Sequence, residues 1–311
     1  MFPPVLVLTA VAVGIVPGAA ILASARWPYR SPAAAILLWQ ALGLSWGLAA
    51  VGALAGLGAV PGRYGVAGGA LSGASQALRD ASALGFGASA LGAAARLAVL
   101  AASAALLALL CWVLVAASAT VIVARRRHRA LLSLLAHGDP KVPGALVVDH
   151  PAAAAYCVPG LRSQIVISAG TLKVLDQAEL AAVLAHERAH ARARHDLVLL
   201  PFCALARAFP RARLVRRARA TVALLVEMLA DDQALRQRPA RELATALLRV
   251  GVSGAGQAPW GALAAADDEV VARVTRLLTP QARLSVPAQT LICSAAALLV
   301  AVPITLLLFS P

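Results

Sequence analysis

"LAHERAHARARHDL", residues Leu184 to Leu197, decides how this chain is read. It gathers three histidines, three arginines, a glutamate and an aspartate in a chain that is 60% hydrophobic and only 14% charged. The preceding "LDQAEL" supplies a helix start, with Asp176 as cap and Glu179 three residues later as its box partner. The helix so begun is predicted to run to about Arg194. Residues four apart on a helix share a face, so His186 and His190 can reach one metal ion. Glu187 stands between them in the H-E-x-x-H order of a zinc protease, two histidine ligands with a glutamate as general base. Such a motif also arises on a solvated, salt-bridged helix face, and context has to separate the two.

The context is a third ligand. "LLVEMLADDQAL" offers Glu227 on the next long helix, with Asp231 one turn along the same face. Glu227 interrupts an otherwise apolar run, where an unpaired charge is costly. As a third ligand it would leave the fourth position of a tetrahedral site open to water. Asp231 can accept the second ring N–H of a ligand histidine and fix its orientation.

These stretches resemble the membrane-integrated gluzincins. "AELAAVLAHERAHARARHDL" followed by "VEMLADDQAL" is most similar to the antirepressor metallopeptidases of the BlaR/MecR type, and less so to the heat-shock membrane protease and CAAX-protease families. Matching elements run from about Val147 to Leu278, with "AYCVPG" and "IVISAGTL" before the motif and "ARVTRLL" after it. The resemblance implies zinc held by His186, His190 and Glu227, Glu187 as catalytic base, and Asp231 behind the ligands. It also implies a protein substrate, such as a cytoplasmic transcriptional repressor; quality control of membrane proteins and a catalytically silent, zinc-stabilised membrane scaffold are the competing expectations. Two departures stand out. The β-lactam sensors carry a penicillin-binding domain after the last membrane helix, whereas this chain stops at Pro311. Related enzymes often place a His or Tyr beyond the third ligand to stabilise the oxyanion, and neither occurs after Glu227 here. Arg273 and Tyr156 are the candidates for that role. For Arg273 a salt bridge with Asp267 or Glu269 is the competing expectation.

The remaining histidines say less. His128 belongs to a basic run, and His137 and His150 read as turn residues. His195 falls off the ligand face on a continued helix, so it is expected beside the site or at the surface.

Outside this region the chain is a membrane protein by composition. Its mean hydropathy is +0.79, and about 20 apolar residues in helix span a bilayer core. Four stretches qualify: Phe2 to Ser24, Ala34 to about Gly58, Leu97 to Val123, and Pro287 to Phe309. The first could be a signal peptide ending at Ala23-Ser24-Ala25, but it has no basic start and is too long, so a retained helix is expected. The expected architecture is mainly α, with three membrane helices in residues 1–123, a zincin-like α+β metalloprotease domain in 124–286, and a fourth membrane helix in 287–311.

Charge fixes the expected orientation. Arg26 and Arg30 place the first loop in the cytoplasm, and the nearly neutral loop from Pro61 to about Arg96 outside. "ARRRHR", Ala124 to Arg129, returns the chain to the cytoplasm and puts the catalytic domain there, beside the lipid bilayer. Arg188, Arg192 and Arg194 exclude an active-site helix buried in hydrocarbon. The net charge of +14 does not point to nucleic acid, since all but two of the 28 basic residues are arginine and no base-reading motif is present. Four cysteines without a C-x-x-C pair exclude a cysteine zinc site and a disulfide framework.

Within the domain a helix over Ala124–Ala136 is expected to end at "HGDPKVPG". Short strands come next at Leu146–Asp149, Ala155–Val158 and Gln164–Ser168, the last as the edge that pairs with an extended substrate. Beyond the motif, Asp196 is expected to cap a helix that Pro201 kinks or ends. Helices over about Leu214–Gln237, Ala240–Val250 and Asp267–Leu278 complete it, with "SGAGQAPWG" as a linker.

Overall fold

In the computed structural model, residues 3–59, 65–83, 88–140, 142–160, 163–254, 260–279 and 282–309 are described. The chain is mainly helical, with one small sheet. It divides into two compact units, residues 1–115 with 208–218 and 284–311, and residues 116–207 with 219–283.

The first unit is built from apolar helices: α1 (Pro3–Ser24), α2 (Pro32–Gly58), α3 (Gly65–Ala83) and α11 (Val286–Phe309). A turn of 3-10 helix, Trp27–Arg30, joins α1 to α2. Leu8, Ala49 and Val66 form its core, with Leu306 and Leu307 packed on them. Hydroxyls in this apolar setting donate to main-chain carbonyls, Ser45 to Leu299 O at 2.6 Å and Ser103 to Val51 O at 2.9 Å. The expected neutral loop after Pro61 holds a helix instead, α3. Its small residues let it lie close, and a Cβ on Gly73 would fall 2.2 Å from Gly58 O. The next helix, α4, runs unbroken from Ala88 to Leu135, so the third apolar segment and the predicted Ala124–Ala136 helix are one element. Among the described residues, four helices, α1, α2, α4 and α11, are long and apolar enough to cross a membrane.

The second unit centres on a four-stranded sheet of order β1-β2-β4-β3. Its strands are β1 (Ala136–Gly138), β2 (Ala145–Val148), β3 (Ala155–Val158) and β4 (Gln164–Ser168). Strands β2 and β4 are parallel, and the other pairs antiparallel. The residues just after α4, expected to end the helix as a turn, begin with β1. Strand β4 corrects the edge assignment: it lies inside the sheet, and β3 is the edge. Ile165, Val166 and Ile167 are all buried, as a strand covered on both faces requires. Ile165 and Ile167 join Leu180, Val183 and Leu184 in one core, while Val166 packs with Val158 and with Leu132 of α4.

After β4 a short helix, α5 (Ala169–Val174), is capped by Ser168, whose Oγ accepts from Thr171 N at 3.1 Å. Gly170 is required there, since a Cβ would sit 2.1 Å from Pro151 O. Helix α6 (Gln177–Ala193) starts with the expected capping box. Asp176 Oδ1 accepts from Glu179 N at 2.9 Å and Glu179 Oε2 accepts from Asp176 N at 3.0 Å. Arg249 donates to the same Glu179 oxygen at 2.8 Å and ties α6 to α9 (Ala240–Gly254). Helix α7 (His195–Ala208) starts one residue before the predicted cap and continues through Pro201. Helix α10 (Trp260–Leu278) and helix α8 (Arg213–Ala234) from residue 219 onward complete the unit. Ala182 and Ala185 of α6 pack with Ala234, Leu243, Ala244, Val274 and Leu277. Residues 255–259 of the predicted linker, and the side chain of Asp267, lie outside the described residues.

Candidate active site

Helices α6 and α8 bring the motif residues together. His186 Nε2 lies 3.0 Å from His190 Nε2 and 3.3 Å from Glu227 Oε2, and His190 Nε2 lies 3.5 Å from Glu227 Oε1. The helical spacing aligns the two imidazoles. Glu227 reaches them because its neighbours Leu225, Val226 and Met228 are buried on α8 and lock that helix in place. A tetrahedral site with bonds of about 2.05 Å sets its ligand atoms roughly 3.3 Å apart. The three candidate donor atoms match that spacing, and two imidazoles with a carboxylate form a donor set that suits zinc.

The charge balance favours a cation at the same point. Burial works against a charged His186, but Asp231 and Glu227 outweigh it and push its pKa up to about 9. Burial would raise the Glu227 and Asp231 carboxyls, yet His186 and Arg273, with His190 for Glu227, hold both below the usual range. The two acids therefore stay ionised around a buried imidazole. Asp231 Oδ1 stands 3.0 Å from His186 Nδ1, on the ring's side away from the donor cluster. The approach is poorly directed for a hydrogen bond, so it is an electrostatic contact.

Arg273 of α10 is buried against these acids. Its Nε and Nη2 grip Asp231 at 2.9 and 2.7 Å, and its Nη1 lies 3.0 Å from Glu227 Oε2. Its ion-pair partners among the described residues are thus Asp231 and Glu227, not the Glu269 of the sequence expectation.

Glu187 lines a cleft of about 440 Å³ together with His186, His190, Glu227, Tyr156 and Arg273. Burial raises its pKa above that of an ordinary glutamate, against the pull of His186 and His190. Cys157 borders the same cleft, and burial with the nearby Glu187 charge pushes its thiol up to about 11. It remains a protonated thiol and offers no nucleophile at neutral pH.

Tyr156 lines the cleft from β3, with its hydroxyl 3.0 Å from His128 Nε2 of α4. Two neighbours of His128 hold the same wall. Arg125 pairs with Asp196 at 2.9 Å, and Arg129 donates to Pro159 O at 2.7 Å. Among the described residues strand β3 pairs with β4 alone, and Ser168 N donates to Ala154 O at 2.9 Å. Antiparallel alternation then turns the main-chain N–H and C=O of Ala155 and Cys157 away from β4. Both residues border the cleft.

Sequence reasoning expected His195 beside the site or at the surface and read Asp196 only as a helix cap; both line the cleft. His195 is buried, with its Nδ1 3.0 Å from His190 Nδ1. A signal was present in His190 itself, since a ligand histidine needs a partner for its second nitrogen.

Residues 122–237 match the family model described as Peptidase family M48. The matched stretch runs from α4 past the end of α8 and contains His186, Glu187, His190, Glu227 and Asp231, while Arg273 lies beyond it. No curated protein and no solved structure matches the chain.

Proposed function

With a Peptidase family M48 domain over residues 122–237 as the premise, we propose that the chain is a zinc-dependent, membrane-bound endopeptidase with its catalytic unit on the cytoplasmic side. The observation that carries this reading is the meeting of His186, His190 and Glu227, with Glu187 beside them, in a cleft bordered by a free strand edge. Zinc, when bound by those three residues, acidifies water and polarises the scissile carbonyl.

The chain's own residues supply the rest. Glu187, with its raised pKa, accepts a proton from the attacking water and returns it to the leaving amine. Asp231 and Arg273 hold His186 and Glu227 in position. Arg273 is occupied by these two acids, so it acts as a positioning residue. Tyr156 is then the remaining candidate for stabilising the oxyanion: burial raises its pKa, and it stays a neutral donor. An extended substrate would lie along β3, paired with the outward groups of Ala155 and Cys157. Such pairing requires that the cut segment be unfolded.

The resemblance to antirepressor peptidases points to a cytoplasmic regulatory protein as substrate, such as a transcriptional repressor cut in a flexible linker. Loop charge supports the orientation, and the four apolar helices support residence in the bilayer. Comparing the proteomes of cells carrying wild-type enzyme and Glu187→Gln tests the substrate. One stabilised repressor with a small set of silenced genes is expected. Many stabilised membrane proteins and no repressor would establish general quality control instead.

A further inference from the structure

Helix α6 ends in an unusual way. Arg194 has φ 50° and ψ 45°, and it is the single non-glycine residue with positive φ among the described residues. An L-residue is disfavoured there, and such outliers persist where the surrounding structure holds them for a purpose. The side chain of Arg194 is 43% exposed, and among the described residues its ion-pair partner is Asp196, at 3.6 Å. Nothing in that side chain calls for a left-handed backbone, so the reason lies in the next two residues, His195 and Asp196.

On an unbroken helix, five residues turn the chain by roughly 140° net, so His195 would face away from His190. The left-handed turn brings it back. His195 Nδ1 stands 3.0 Å from His190 Nδ1, with the rings edge-on at 89° and their centroids 4.8 Å apart. Asp196 is fixed by Arg125 at 2.9 Å, so the turn is held from α4 as well.

Two ring nitrogens 3.0 Å apart share one proton. His190 Nε2 belongs to the donor cluster with His186 and Glu227, which places the proton on His190 Nδ1. His195 Nδ1 must then accept, and the proton of His195 sits on its Nε2. That atom is buried without a hydrogen-bond partner among the described residues. Leaving a donor unsatisfied is unfavourable, and this ring orientation does so to keep Nδ1 on His190.

We infer that His195 is a positioning residue of the metal centre, accepting the Nδ1–H of His190 and holding that ligand in the tautomer whose Nε2 faces the ion. The inference rests on the zinc reading of the site. It differs from a packing role in a way substitutions can separate: His195→Phe keeps the bulk and loses the acceptor, whereas His195→Asp keeps an acceptor and loses the bulk.

The test is the zinc affinity of the full-length protein in detergent, by competition with a chromogenic chelator. Wild type, His195→Phe, His195→Asp and His186→Ala are compared, with thermal unfolding of the zinc-free proteins to confirm folding. His195→Phe should bind zinc about 10–100-fold more weakly, and His195→Asp within roughly threefold of wild type. If His195→Phe does not fold, His195→Met serves in its place. Wild-type affinity in the apolar variant, or equal loss in the aspartate variant, overturns the inference. Should wild type bind no more zinc than His186→Ala, the zinc reading itself falls, and the inference with it.

Discussion

Arg273 closes on both carboxylate oxygens of Asp231, at 2.9 and 2.7 Å, across 42 residues of chain. The same guanidinium touches Glu227, so one cation holds both acids of the site and balances their charge. Breaking a buried pair of this kind leaves an uncompensated charge, with a cost of about 3–5 kcal/mol. Arg273→Ala should therefore lower the thermal midpoint by several degrees, and Arg273→Lys should recover little, because an ammonium cannot grip a carboxylate twice. Wild-type stability in Arg273→Ala would show that the pair is not structural.

Metal content separates the ligands from the base. Purified protein should carry about one zinc. His186→Ala and Glu227→Ala should lose it, while Glu187→Gln should retain it and cleave casein about 10²–10⁴-fold more slowly. A Glu227→Ala protein that keeps its zinc would remove Glu227 from the ligand set.

The metal-free protein should weaken in mild alkali. Burial alone would lower the pKa of its His186, but Asp231 and Glu227 outweigh burial and raise it to about 9. The protonated ring therefore stabilises the fold fully below about pH 6.5, and that contribution is lost as pH rises through 9. The loss is on the order of 3 kcal/mol. Unfolding midpoints in chelator, measured from pH 6 to 9.5 in a Glu187→Gln background so that Glu187 does not titrate, should fall steadily. The fall should flatten in Asp231→Asn. A midpoint that stays level in the parent would contradict the assigned charge balance.

Much of the fold and site is legible from residue patterns. The 155–158 and 164–168 strands come from β-prone runs between Pro and Gly, and the start of α6 from Asp176 and Glu179, because these signals are local. The features that sequence does not reveal depend on packing. Gln164–Ser168 reads as an edge only if its three consecutive apolar residues are ignored; they mark an interior strand. Pro201 should disturb a helix by local rules, yet the helix runs past it, and the small residues of α3 read as a loop until close helix packing gives them a reason. Arg273 cannot be matched with Asp231 by spacing, since α10 returns to α8 only in the tertiary fold. His195 requires a backbone break that arginine does not advertise.

Substrate pairing can be probed on β3. Ala155 turns its N–H away from β4, so Ala155→Pro removes a group available to substrate and leaves the sheet's own ladder intact. It should raise KM for a peptide substrate about tenfold while zinc content and thermal midpoint stay near wild type. An unchanged KM would place the substrate elsewhere in the cleft.

The left-handed residue at 194 has an electrostatic consequence beyond direction. It divides what could have been one helix into two, and each carries its own dipole. His190 lies in the last turn of α6, at a negative pole, and His195 is the first residue of α7, at a positive one. A donated proton is favoured at the first and an accepting lone pair at the second, each by about 0.3–1 kcal/mol. The break therefore polarises the His190–His195 contact in the same sense as the hydrogen bond it creates. It also sets the negative end of α6 beside the proposed ion site, where an uninterrupted helix would have carried that pole some twenty ångströms away, to the end of α7.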